Sequence, residues 1–194
     1  MEPKYIMDTS HIIPIIFLLL FLFGFVFDRI RRAKISETLS EMDGDVLTFK
    51  HTGHFFKLSG HTEIMRNGHH IANVWFGGLN DTEYTLCPEL KERFTVRQEN
   101  ARYSSPGGST EIFHPVFKPP FASLLLKSGR KILVKGKYTE FLVDLLEEQS
   151  PVGLLELQSW DNSKGKIPRS LNDHEVILLV EVARHIKREA SSGD

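Results

Sequence analysis

The chain has 194 residues, with 24 Lys and Arg against 25 Asp and Glu, a formal net charge of −1 and a single cysteine. A balance this close to neutral, with no broad basic field, excludes electrostatic nucleic-acid binding as the organising feature, so no nucleic-acid partner is expected. One cysteine excludes a disulfide framework and agrees with a reducing compartment.

From Ile12 to Phe27 every residue is apolar apart from Gly24. As a helix these residues cover about 24 Å, and the stretch from His11 to Ile30 is long enough to cross a hydrocarbon core. Pro14 falls in the first turn, where its missing amide is not needed. A cleaved export signal carries its positive charges before the apolar run and small residues after it. Here Glu2, Lys4 and Asp8 precede the run and DRIRRAK follows it. The expectation is a short tail and single transmembrane anchor over residues 1–28, then a basic juxtamembrane linker over 29–42. Arg29, Arg31, Arg32 and Lys34 against the lone Lys4 predict an outward N-terminus and a cytoplasmic C-terminal domain. The same four side chains are placed to meet anionic lipid headgroups, at about 1 kcal/mol each. Ile35, Leu39 and Met42 lie at i, i+4 and i+7, which predicts that the anchor helix runs on as an amphipathic extension until Asp43-Gly44.

Residues 43–190 are expected to form one cytoplasmic α+β domain, a mostly antiparallel sheet with helices towards the C-terminus. DVLTFK, HFFKLS, TEIMR, HHIANVWF, ERFTVRQ, EIFHPVF, ASLLLK and RKILVK are short, apolar or alternating, and bounded by turn residues. Asn67-Gly68 is the pair a two-residue type I′ hairpin turn requires. Around it Arg66 is expected to face His69, Met65 to face His70, and Ile64 to face Ile71. YSSPGGST reads as a loop. In KYTEFLVDLLEEQSP, Phe141, Leu142, Leu145 and Leu146 share one helical face and the acids the other, which predicts a helix stopped by Pro151. VGLLELQSW returns to a strand pattern, and DNSKGKIPRS reads as a surface loop.

The final helix is announced by Asn172 and Glu175 at capping-box spacing, with Leu171 set to staple onto Val176. Its apolar arc spans about 200°, with Ile177 outside it, which predicts packing by the sheet on more than one side. At this coarse level the order of elements is similar to two known architectures. One is the pleckstrin-homology-like domain, which ends a run of strands with a helix; the other is the tubby-like barrel, which surrounds an apolar C-terminal helix. No residue motif carries either likeness.

Nine histidines invite a metal reading, and HTGHFFKLSGHTEIMRNGHH holds five of them. Imidazole and carboxylate donors are what a zinc-type site uses. His51, His54, His61 and Glu63 are the residues such a site would draw on, because the hairpin separates His61 from His70 by about 13 Å. Cys87, before Pro88, reads as a half-buried thiol at a strand end. No phosphate loop, nucleophile elbow, H-E-x-x-H or C-x-x-C pattern occurs, and no cofactor is expected. Trp75, Phe76 and Phe121 stand beside turns, where bulky rings either offer a surface to a peptide or lipid partner or cap the core as ordinary strand ends. The function these features support is a membrane-anchored, non-catalytic binding module. It would present a cytoplasmic domain to a membrane-associated protein or to lipid headgroups. The alternative is a membrane-tethered enzyme or metal protein using the histidine-rich hairpins.

Overall fold

The apolar run, the basic flank and the amphipathic extension form one uninterrupted helix, α1 (Ile12–Glu41). The structure, a computed structural model, describes residues 12–52, 61–76, 81–86, 92–100, 102–116, 118–137, 142–157 and 164–191. At 1.5 Å per residue α1 is about 45 Å long. None of the residues in its apolar window is buried; Phe17 and Phe21 on one face and Phe23 on the opposite one are each about 70% exposed. A helix so apolar and so uncovered is a candidate membrane span or signal anchor. Ile35 and Leu39, the i, i+4 pair of the extension, are its buried side chains.

The chain divides into two compact units, Met1–Glu41 and Met42–Asp194. The second is a closed barrel of twelve strands. In chain order these are β1 (Asp45–Thr52), β2 (His61–Arg66), β3 (His69–Phe76), β4 (Asp81–Leu86), β5 (Glu92–Glu99) and β6 (Arg102–Ser105). There follow β7 (Gly108–Phe113), β8 (Phe121–Leu126), β9 (Lys131–Gly136), β10 (Leu142–Glu147), β11 (Ser150–Glu156) and β12 (Lys164–Ile167), then the helix α2 (Asp173–Ser191). Each strand pairs antiparallel with its neighbours in sequence, and β1 pairs antiparallel with β12 to close the ring. Closure of an up-and-down meander with every pair antiparallel needs an even number of strands, and it removes the exposed edges on which open sheets aggregate.

Eight strands enclose a lumen that side chains alone fill, whereas twelve leave room for an additional element. α2 supplies it. Val176, Ile177, Leu178, Leu179 and Val180 are all buried in succession, and so are Val182, Ala183 and Ile186. Five consecutive buried residues cover the whole circumference of a helix, so the arc that omitted Ile177 was too narrow. α2 shares one core cluster with the inward residues of the strands, among them Leu47, Ile64, Leu124, Ile132, Val134 and Leu145. Gly136 on β9 brings the helix close, since a Cβ there would stand 2.9 Å from Ile186 Cγ2. The helix start is built as the sequence indicates. The Glu175 amide donates to Asn172 Oδ1 at 2.9 Å, and the Asn172 amide donates to Glu175 Oε2 at 3.0 Å.

Several segments differ from the sequence expectation. Residues 142–156 form the hairpin β10–β11 and not a helix. Its turn is Glu148-Gln149, both at positive φ (50° and 68°), a conformation that side-chain-bearing residues rarely adopt and that their identities do not announce. Pro151 sits at the bulge of that hairpin, where a missing amide is tolerated. Among the described residues α2 is therefore the single helix of the barrel unit. YSSPGGST is the hairpin β6–β7, and DNSKGKIPRS contains β12, the strand that closes the barrel. The Asn67-Gly68 turn has positive φ at both residues, as expected (50° and 80°), and Arg66 faces His69. A bulge then shifts the register so that Ile64 faces Ala72, and Ile71 and Ala72 are both buried.

An ionic hub fastens the lumen helix where it begins. Arg66 on β2 donates to Asp45 Oδ2 at 2.7 Å, to the Leu171 carbonyl at 2.7 Å, to Asp173 Oδ1 at 3.1 Å and to the Arg169 carbonyl at 2.9 Å. The Asn67 side-chain Nδ2 donates to Asp45 Oδ1 at 2.8 Å. That bond first, and then Arg66, hold the Asp45 carboxyl below the ordinary carboxylate range. Arg130 makes a two-point pair with Glu147 (2.9 and 2.7 Å) and also donates to Ser170 Oγ.

Two predictions follow from this packing, both read by thermal melting of the full chain in detergent. Leu179→Asp puts a carboxylate in the lumen with no partner and is expected to abolish the cooperative transition, at a cost of about 4 kcal/mol or more. Because Asp45 has a depressed folded-state pKa, its contribution is complete above the unfolded value near 4 and is lost as pH falls through the folded value. The difference in melting temperature between pH 7 and pH 3 is expected to shrink in Asp45→Asn; an unchanged difference would remove Asp45 from the hub.

Candidate functional site

The inward residues of the barrel are not uniformly apolar. α2 carries Glu181, Arg184, His185 and Arg188 at helical spacing, and these face the sector of β4 to β6. The Tyr84 hydroxyl on β4 donates to Glu181 Oε2 at 2.5 Å. The Tyr103 hydroxyl on β6 lies 2.6 Å from His185 Nδ1. Burial, and then the Glu181 charge, push both phenols up from their ordinary value, so both stay protonated and act as donors. Burial first of all pushes the His185 imidazole down; the Glu189 carboxylate opposes that shift, while Arg188 and His114 add to it. Phe94 on β5 completes the sector, stacked on Tyr84 at 5.4 Å and packed against the His174 ring at 4.8 Å.

Outside this sector, across β5 to β8, lies a groove of about 520 Å³. Its walls carry opposite charges in pairs, Arg97 and Arg102 with Glu99 and Glu111, and Arg102 approaches Glu111 at 3.5 Å. Phe113 and Leu125, 42% and 53% exposed, supply apolar surface. Ser123 also lines it, and its hydroxyl is buried with no hydrogen-bond partner among the described residues. Tyr103 belongs to both places: it lines the groove, and its hydroxyl meets His185. The arrangement can bind a segment that offers charges of both signs and an apolar anchor.

No protein-family model, curated protein or solved structure matches this chain.

Of the residues singled out from sequence, Phe121 is half-buried at the start of β8 and stacks on Phe113 of the groove at 5.1 Å. Trp75 is 44% exposed on β3, away from that groove. Phe76 ends β3, and its side chain lies outside the described residues, as do those of His51 and His61. His54 and Cys87 lie outside them altogether. Glu63 is half-buried on β2, opposite Asn73. On α1, Arg32 pairs with Asp28 at 2.7 Å, Arg31 approaches the same carboxylate at 3.8 Å, and the Arg29 guanidinium lies over the Phe25 ring at 5.4 Å. The interior tyrosine–acid and tyrosine–histidine pairs were missed. The available signal was Glu181 and His185, four apart and directly after the apolar run Val176–Val180, together with tyrosines at inward strand positions.

Tyr84→Phe leaves Glu181 without its phenol donor and is expected to cost about 2 kcal/mol, or about 4–8 °C in melting temperature for a domain of this size. Tyr84→Phe combined with Glu181→Leu is expected to be less destabilised than the sum of the two single changes. Strict additivity in that double-mutant cycle would mean that the pair does not interact.

Proposed function

We propose that this protein is a membrane-anchored, non-catalytic binding module whose barrel engages a membrane-associated protein on the cytoplasmic side. In this reading α1 spans the bilayer with its N-terminus outside. Arg29, Arg31, Arg32 and Lys34 fix that orientation and lie at the headgroups. The observation that carries the reading is the combination of a lumen filled by α2 with an exterior groove of mixed charge and exposed apolar side chains. A filled lumen leaves recognition to the outer surface. Glu99 and Glu111 beside the two arginines disfavour an anionic headgroup and suit a protein segment.

The anchor supports the same reading. α1 continues without a break to Glu41, and three residues separate it from β1, so the tether between span and barrel is short. A partner in the same membrane then meets the groove at high effective concentration, and weak contacts suffice.

Two measurements test the proposal. The full chain is expected to stay with membranes after alkaline washing, with a C-terminal tag protected from protease in intact cells; a digested tag would overturn the orientation. A photocrosslinker at Leu125 is expected to give a discrete protein adduct in native membranes. The adduct should disappear when Arg97 and Arg102 are changed to Glu, and should be absent when the crosslinker is placed at exposed Lys131. Lipid adducts alone, or protein adducts indifferent to the arginine changes, would refute the groove as the binding surface.

A further inference from the structure

Where α2 ends, three metal-ligating side chains converge from two elements. His185 and Glu189 are four residues apart and so share one helical face, and His114 follows β7 directly. One donor atom from each lies within 4.8 Å of the others. His185 Nε2 and Glu189 Oε1 are 3.5 Å apart. None of these residues belongs to the histidine-rich hairpins that the sequence brings forward.

We propose that His114, His185 and Glu189 form a binding site for a divalent zinc-type ion that fastens the end of β7 to the lumen helix. Zinc–nitrogen and zinc–oxygen bonds of about 2.0–2.2 Å in tetrahedral geometry set donor atoms about 3.3–3.5 Å apart. The His185–Glu189 pair already has that spacing, and because all three donors lie within 4.8 Å, closing the triangle asks the His114 donor to approach by at most about 1.5 Å. His114 is exposed and lies beyond the last residue of β7, so its ring is free to make that movement. Two imidazoles and one carboxylate are a donor set that zinc and related first-row ions accept, with the fourth position left to water.

The surroundings fit a ligand histidine. Metal-bound imidazoles characteristically use their second nitrogen to hold an oriented partner, and His185 Nδ1 is 2.6 Å from the Tyr103 hydroxyl. Without metal, that phenol donates to Nδ1, which leaves the ring proton on Nε2, facing Glu189. When metal takes Nε2, the proton sits on Nδ1 and the phenol oxygen accepts it, so the imidazole stays neutral and no net proton is released. The Arg188 guanidinium also donates to Nδ1, at 3.3 Å, and has to turn away when metal moves the ring proton there. Its charge limits affinity, and the Glu189 carboxylate compensates it.

The site has a mechanical consequence. α2 enters the lumen at an ionic hub around Arg66 and leaves it at this cluster, so a bound ion would fix the second end of the helix.

The test uses the full-length chain in detergent, titrated with Zn²⁺ at pH 7.5 against a chromophoric chelator, with Co²⁺ absorption as a second readout. One equivalent is expected to bind with a dissociation constant of about 10 μM or tighter and to raise the melting temperature. His114→Ala and Glu189→Gln alter side chains that the barrel does not enclose, and each is expected to weaken binding at least tenfold while the metal-free melting temperature holds. Tyr103→Phe is expected to weaken it about tenfold through loss of the oriented hydrogen bond. The variant with His51, His54 and His61 all changed to Ala is expected to bind as the wild type does. Absence of saturable binding below about 100 μM, binding unchanged in His114→Ala and Glu189→Gln, or loss of binding in the triple variant would each overturn the assignment.

Discussion

The structure depends on one packing problem, which is how to fill a twelve-stranded barrel. A ring of that size cannot be closed over strand side chains alone, and an open lumen in water would forfeit most of the burial that stabilises a fold. α2 solves the problem because it is apolar on every side from Val176 to Val180, and the barrel is stable because α2 is there. Neither element has an independent reason to exist: the helix would aggregate without the barrel, and the barrel would be hollow without the helix. The hub around Arg66 follows from this dependence, since it ties the first strands and the segment before α2 to the point where the helix enters.

Closure also decides where recognition can occur. The paired ring offers no open edge for strand addition among the described residues, and its interior is occupied. What remains is the outward face of the strands, where side chains alternate away from the core and answer to no packing demand. The groove over β5 to β8 is built mostly from such residues, with charges of both signs around two exposed apolar side chains and a hydroxyl that has no partner among the described residues. Tyr103 and Thr110 are buried exceptions, and Tyr103 lines the groove while its hydroxyl touches the lumen helix. It therefore gives the outer surface a direct physical connection to His185.

The lumen itself is divided. Towards β8–β10 the contact is aliphatic and close, with Gly136 admitting Ile186, whereas towards β4–β6 phenols meet an acid and an imidazole. Hydrogen bonds of this kind fix the rotation of the helix about its axis, which apolar packing alone leaves loosely determined, because an all-round apolar helix has many nearly equivalent rotations. The polar sector thus gives register to a helix whose burial supplies stability.

The sequence by itself determined the elements whose cause is local. The apolar helix and its basic flank, the capping box at Asn172 and Glu175, the Asn67-Gly68 turn and most of the strands are written in neighbouring residues, because hydrophobic period, cap chemistry and backbone freedom act over a few positions. It misread LVDLLEEQSP as a helix, since leucines three and four apart satisfy a helical period as readily as a strand lying between two others, and a Glu148-Gln149 turn has no residue signature. The tertiary structure alone decided the closure of β1 on β12, the passage of α2 through the lumen, and the meeting of Tyr103 with His185, of the groove residues across four strands, and of His114 with His185 and Glu189. Each joins residues far apart in the chain, and their proximity is set by strand number and shear around a ring, which no local pattern encodes.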